Sequence, residues 1–320
     1  MFENYNKLLS PLDKITLNFN ESGLLIMNIT IALVMFGVAL GIKKEHFKDI
    51  AKNPKSVIIG LISQFVLMPL MTFLLVITLK LPVSISLGMI LVASCPGGNV
   101  SNFITSVARG NVALSVSLTA FSDLGSIIMT PLSFTLWGNF YINTLSDLAA
   151  PIHIPFFDVL KTIALLMALP LLLGFWFRNK FPELTKKIFK PTKVISFIIF
   201  IGFIVGAIAA NFNYFADYFW LLLPIVFIHN LIALTTGFSF AKIMKQSLMN
   251  VKTITIETGI QNSGLALVLI FNENIFKGGL GGAAFIAAMW GIWHIISGLA
   301  ISTVWSYKKD TKTKQFIAKK

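Results

Sequence analysis

Glu257 lies in the run ETGIQN (257–262), inside a stretch of otherwise apolar character. An acidic side chain at the centre of a membrane helix costs roughly 2.5 to 3.5 kcal/mol on insertion scales, so something must compensate it. A bound cation is the first expectation; a structural carboxylate held by Thr258, Gln261 or a neighbouring helix end is the other. About 160 positions earlier, CPGGNVSN (95–102) breaks a second apolar stretch. Ser101 and Asn102 there offer neutral oxygen ligands of the kind sodium accepts, Asn99 adds an amide, and Gly97 and Gly98 allow close backbone approach. Pro96 removes a donor and disfavours helix just before it. In the next apolar run Ser115 and Thr119 stand four apart on one helical face, with Asp123 a further turn along. Each hydroxyl taken alone could equally bond the preceding turn. Gln64 is another amide placed where lipid contact is costly. His294, His229 and Asn230 read first as hydrogen bonders between helices.

These groups need elements that cross hydrocarbon. Of 320 residues 56% are hydrophobic and 12% charged, with mean hydropathy +0.81, against roughly 25% charged in soluble chains. A polytopic membrane protein follows. The net charge of +13 fits basic connections between apolar spans better than nucleic-acid binding, since no soluble basic domain exists to carry the latter. The single Cys95 excludes an internal disulfide and any cysteine-based metal cluster, and residues 1–22 lack the pattern of a cleavable signal. No His pair at metal spacing, nucleophile elbow, phosphate loop or dinucleotide fingerprint occurs, so no enzyme and no transition metal are expected.

Windows of spanning length fall near 23–42, 56–79, 85–107, 112–136, 154–177, 194–212, 219–241, 253–275 and 282–306. Alternate connections hold about 21 of the Lys and Arg residues, among them Lys43, Lys44, Lys48, Lys52 and Lys55, then Arg109, Lys242, Lys245 and Lys252; the opposite side keeps four, Lys7, Lys14, Lys80 and Lys277. This predicts nine transmembrane helices with the N-terminus outside and the C-terminus cytoplasmic. Both broken windows sit centrally in a triplet, and the triplets start from opposite sides. An inverted repeat would bring the breaks together near the midplane at one binding site, the arrangement of a transporter. The core helices are then about 56–136 and 219–306, with panel helices about 23–42 and 154–212, in one membrane domain of residues 1–320. The basic tail 308–320 is expected to anchor on anionic headgroups.

CPGGNVSN, SQFVLMP (63–69), ARGNVALS (108–115) and ETGIQNSGLA (257–266) resemble, in order and spacing, the signatures of the bile acid:sodium symporter family. The likeness covers about residues 25–306. It implies an all-α membrane fold whose inverted-repeat core carries two broken crossing helices beside a moving panel. It also implies two sodium ions. One site would use Ser101, Asn102, Ser115, Thr119 and Glu257, and the second Gln64, Glu257, Gln261 and the carbonyls of Thr258 and Ile260. Asn99, Asn262 and His294 are the implied substrate-side residues. Three positions depart from the family pattern: Asn99 replaces a Thr of many members, Ile295 an Asn of some bacterial ones, and Asp123 stands where a Thr is expected. Asp123 could bind an extra ion or a proton, or be a protonated core acid.

The expected function is sodium-coupled import of an organic anion, bile acid-like or a small carboxylate such as pantoate, by alternating access. The alternatives are a proton-coupled or sodium-independent carrier, and a ligand-sensing membrane receptor without turnover. The expected partners are the anion, sodium and membrane lipid, with no nucleic acid and one copy as the working unit in the inner membrane.

Overall fold

A computed structural model describes residues 2–15, 21–41, 54–145, 154–272, 275–276 and 280–318. Among them no strand occurs, and the chain is almost wholly helical. We number the helices α1 (Phe2–Leu9), α2 (Glu21–Gly41), α3 (Pro54–Leu79), α4 (Val83–Ser94), α5 (Ser101–Val107) and α6 (Val112–Asn143). Then follow α7 (Phe156–Lys180), α8 (Pro182–Ala210), α9 (Phe212–Ile243), α10 (Leu248–Gly259), α11 (Ser263–Ile270) and α12 (Gly281–Ala318).

Each expected window holds one helix or a broken pair. Five stretches among the described residues are long and apolar enough to cross a membrane: α3, α6, α7, α9 and Gly281–Tyr307 of α12. Their outer faces carry exposed Leu, Ile, Phe and Trp, such as Ile128, Leu172, Trp176 and Trp220. So much apolar surface is stable only against hydrocarbon or a partner.

The elements differ from expectation mainly at their ends. Helix α6 runs on through Pro131 to Asn143, past the expected end near 136 and into the connection to the window at 154–177, of which residues 146–153 lie outside the described ones. Helix α8 begins at Pro182, through Pro191, rather than near 194. Lys43, Lys44, Lys48, Lys52 and Lys277 also lie outside the described residues. Lys252, taken above for a loop cation, is buried in α10, where its Nζ donates to the carbonyl of Ala108 at 2.7 Å. Ala108 is the C-cap of α5. A cation there meets the negative end of a helix and one of its unpaired carbonyls, which is why the lysine is tolerated inside.

Two helices contain a π-helical turn just ahead of a proline: Ser63–Leu67 before Pro69 in α3, and Ala164–Ala168 before Pro170 in α7. A proline ring clashes with the carbonyl four residues back, and a widened turn relieves that clash. In α3 the widened turn carries Gln64.

Helix α2 packs chiefly on α7 and α8, while α4 packs on α12, α6 and α3, and α9 on α10 and α12. Every residue of α11 is buried, as is nearly every one of α4 and of α10 from Val251 on. Helices apolar all round belong at the centre. Glycine allows this density: a Cβ on Gly88 would sit 2.5 Å from the Cα of Ala283, and one on Gly237 2.9 Å from the Cα of Thr255.

Candidate functional site

The two broken pairs, α4–α5 and α10–α11, meet at their breaks. The amide of Gly98 donates to the carbonyl of Ile260 (2.7 Å) and that of Asn262 to the carbonyl of Pro96 (2.8 Å). Gly97 and Gln261 thereby form an isolated antiparallel bridge. Backbone groups freed by breaking a helix cannot go unpaired in hydrocarbon, and here each break partners the other. The second break is shorter than the sequence implied, because α10 continues to Gly259 and Glu257 lies in its last turn. Asn230 of α9 makes that extension possible: its Nδ2 donates to the carbonyl of Gly259 at 2.8 Å. Asn262 caps α11 by accepting from Leu265 N at 3.1 Å.

The Glu257 carboxylate, almost wholly buried, draws hydroxyls from three directions. Ser101 Oγ donates at 2.7 Å, Ser115 Oγ donates to the same oxygen, and Thr119 Oγ1 lies 3.3 Å from both carboxylate oxygens. Asn102 Oδ1 is 3.5 Å from Thr119 Oγ1. All five residues expected at the first ion site therefore converge. Ser101 comes from the start of α5, Ser115 and Thr119 from one face of α6, and Glu257 from α10.

On the other side of Glu257 lies the second expected set. A Cβ built on Gly97 would fall 3.0 Å from both Gln64 Nε2 and Glu257 Oε2, so the amide and the carboxylate flank the same glycine. Both amide atoms of Gln64 are buried without a hydrogen-bond partner, as is Gln261 Oε1. Gln261 Nε2 donates to the carbonyl of Thr258 at 2.9 Å, and the Ile260 carbonyl accepts from Gly98, leaving each carbonyl a second lone pair. Buried amides without partners are rare and need an explanation. A hard cation taking carbonyl, amide and carboxylate oxygens supplies one. Among the described residues no group of three or more His, Cys, Asp or Glu gathers, so the donors are oxygen of mostly neutral type.

The crossing opens into a cavity of about 470 Å³. Asn99, Asn262 and His294 all line it, as do Asn102 and Thr119 of the ion-facing cluster. The facing wall is apolar, from α2 (Ile31, Val34, Met35, Val38) and from Phe189 and Ile201 of α8. No Lys or Arg lines it among the described residues. His294 Nδ1 is buried without a partner, and Asn262 keeps its Nδ2 while its oxygen caps α11. His229 stands elsewhere, its Nε2 2.9 Å from Thr72 Oγ1 and its ring against Trp290. It is the helix-to-helix bonder expected.

Asn230 also bonds between helices as expected, but its place at the crossing itself was not foreseen. Besides holding Gly259, it accepts from Ser297 Oγ at 2.5 Å, one turn from His294 on α12. Nothing in its own sequence neighbourhood marks it out; the signal was only an amide in an apolar helix. Asn111 was not foreseen either: it caps α6 through Leu114 N and ties α6 to α10 through Asn250 and Thr253.

Fold and site thus define a multi-pass membrane protein with an oxygen-lined, carboxylate-centred crossing of two broken helices. The chain belongs to the Sodium Bile acid symporter family, whose model matches residues 28–218. It is 32% identical over 286 residues to the uncharacterized sodium-dependent transporter YocS of Bacillus subtilis, an alignment covering 89% of this chain and 84% of that one. It is 30% identical over 247 residues to a probable chloroplastic sodium/metabolite cotransporter, BASS2, of rice, covering 76% of this chain and 56% of the relative. To the bovine sodium-dependent organic anion transporter it is 30% identical over 243 residues, covering 76% and 62%. These are transporters, not enzymes, and their sodium dependence accords with an oxygen-rich site.

Proposed function

We propose that the protein is a sodium-coupled symporter that moves an organic anion inward by alternating access. The observation that carries this reading is Glu257, buried at the crossing among Ser101, Ser115 and Thr119, with partnerless Gln64 and Gln261 oxygens beside it and, next to it, a cavity lined by no Lys or Arg among the described residues. In this reading two sodium ions share Glu257. One binds at Ser101, Asn102, Ser115, Thr119 and Glu257; the other at Gln64, Glu257, Gln261 and the carbonyls of Thr258 and Ile260. Two positive charges against one negative leave a net positive site. With no Lys or Arg lining the cavity among the described residues, that surplus is what attracts the anion. A unit charge 4 Å away at an effective dielectric of about 20 gains on the order of 4 kcal/mol, close to a thousandfold in affinity, so sodium has to bind first. Reciprocity then makes the anion tighten sodium binding.

Asn99, Asn262 and His294 would meet the anion's head and the apolar wall of α2 and α8 its body. The cavity volume lies in the range of drug-sized ligands, which favours an amphipathic organic anion over a small carboxylate. The moving parts would be the triplets α3–α6 and α9–α12 as an inverted-repeat core, against a panel of α2, α7 and α8, nine spans in all. In this reading the protein sits in the inner membrane, and the basic connections favour an N-terminus outside and a C-terminus in the cytoplasm.

The test is uptake of labelled taurocholate and pantoate into proteoliposomes under inward sodium, potassium or proton gradients. Accumulation driven by sodium alone is expected, with taurocholate the better substrate. Sodium-stimulated binding without accumulation would make the protein a sensor, and accumulation driven equally by potassium would remove the coupling.

A further inference from the structure

Asp123 is wholly buried in α6, and both its carboxyl oxygens lack any hydrogen-bond partner. It lies one turn beyond Thr119, whose hydroxyl contacts Glu257. A second observation points to the same place from another helix. Gly60 of α3 lies against Leu118 and Gly125 against Phe65, so the widened turn carrying Gln64 runs beside the stretch of α6 carrying Asp123. Both amide atoms of Gln64 are buried and partnerless as well. An unpaired carboxylate in a low-dielectric interior is among the costliest states a side chain can take, and a like charge on Glu257 adds to the cost.

The groups packed around α6 offer no compensation. Helices α4 and α5 carry no titratable residue on their spans, and α3 carries only exposed Lys55 at its start. Helix α7 has Asp158, Lys161, Arg178 and Lys180 toward its ends, whereas the α7 residue level with Ser126 is Met167, at 3.5 Å. Helix α10 brings Glu257, and Lys252, whose Nζ is held at the Ala108 carbonyl.

We infer that Asp123 binds one further sodium ion, taken in exchange for the carboxyl proton, in addition to the sodium pair at Glu257. This rests on the reading of Glu257 as the sodium carboxylate. The ion balances the Asp123 carboxylate, so the positive surplus at the crossing stays at one charge while the buried acid is relieved of its cost.

The experiment counts sodium bound by the full-length purified protein. Radioactive sodium in equilibrium dialysis is compared between the parent, Asp123→Asn, Asp123→Thr and Glu257→Gln at acidic and alkaline pH, with proton release followed in weakly buffered solution. The parent is expected to bind one sodium ion more than either Asp123 variant at alkaline pH. Because the ion displaces the carboxyl proton, the surplus shrinks at acidic pH, and adding sodium to the parent releases about one proton that the variants do not release. Equal counts and equal proton release throughout would overturn the inference and leave Asp123 a neutral core acid. Retained binding of the sodium pair in an Asp123 variant shows that it has folded, and the Asp123→Thr arm serves should Asp123→Asn fail. Loss of the pair in Glu257→Gln is judged separately: unchanged binding there breaks the reading of Glu257, whatever Asp123 does.

Discussion

The break between α4 and α5 takes residues 95–100, whereas that between α10 and α11 takes only 260–262. The longer break has no side-chain cap on α5, and relies on Pro96, two glycines and the Ser101 amide donating to the Gly98 carbonyl at 2.9 Å. The shorter one is fastened by side chains: Asn262 caps α11, Asn230 holds the end of α10, and Thr258 Oγ1 meets Ser63 Oγ at 2.8 Å. The charge, Glu257, sits on the fastened side. The open side contributes clearance, neutral hydroxyls and the amide of Asn99. A site that binds a charged ion in hydrocarbon needs its carboxylate fixed, while its neutral donors can sit on backbone that yields.

Charge is where this division is most exposed to test. Glu257→Gln keeps the shape and removes the charge, and breaking a buried charged pairing costs about 3–5 kcal/mol. Sodium-driven uptake in proteoliposomes should fall at least about a hundredfold, with the protein still monodisperse in detergent. Sodium coupling of normal strength in that variant would mean that the fastened side does not hold the ion.

The next effect belongs to the open side. In Gly97→Ala the new methyl would lie 3.0 Å from Gln64 Nε2 and Glu257 Oε2, both ends of movable side chains. Overpacking of this kind costs roughly 1–3 kcal/mol, and the groups that must retreat are proposed ion ligands. Sodium affinity is expected to weaken about tenfold, measured by sodium titration of binding. Gly98→Ala instead presses on the Gln261 carbonyl at 3.0 Å, which cannot swing aside. It should shift the crossing itself and weaken sodium and anion together. Equal patterns for the two variants would erase the distinction between clearance for ligands and clearance for backbone.

Asn230→Ala returns to the fastened side and asks what a cap is worth. It leaves the Gly259 carbonyl without its partner, a loss of about 1–3 kcal/mol for a buried acceptor, and it leaves the Ser297 hydroxyl only its bond to the His294 carbonyl. Thermal stability should drop accordingly and sodium binding should weaken about fivefold, since Glu257 lies two residues from the released end. Stability lost with sodium affinity intact would show that α10 is held by packing alone.

Much of this was legible in the sequence, for a physical reason. Apolar spans and intramembrane polar groups are costly to misplace, so the helices over 56–79 and 219–241, the breaks, and the convergence of Ser101, Ser115, Thr119 and Glu257 followed from residue types, spacing and the family resemblance. What escaped was whatever depends on a partner distant in sequence. Lys252 looked like a loop cation because its acceptor, the Ala108 carbonyl, lies 144 positions away. The end of α10 looked earlier because the Asn230 amide that extends it belongs to another helix. The widened turn at Gln64 was hidden too, since a proline at 69 announces a kink but not its form. Helix ends at Asn143 and Pro182 were missed because hydropathy marks where hydrocarbon stops and not where a helix does.

The smallest expected effect lies on the side of the molecule farthest in character from the crossing. Nothing lies within 4 Å of a Cβ built on Gly202 or Gly206 of α8, in contrast to Gly97, Gly98 and Gly259 at the crossing. Alanine at a helical glycine with open space around it should stabilise by about 0.4–1 kcal/mol through the unfolded chain, and the sodium affinity should not move. Gly202→Ala is therefore expected to raise thermal stability slightly and leave binding alone. Turnover is the informative readout. If uptake slows while binding is unchanged, α8 must bend at these glycines during the cycle, and the open space around them serves motion of the proposed panel against the crossing. If uptake is also unchanged, α8 moves as a rigid rod, and whatever flexes lies in the connections at its ends.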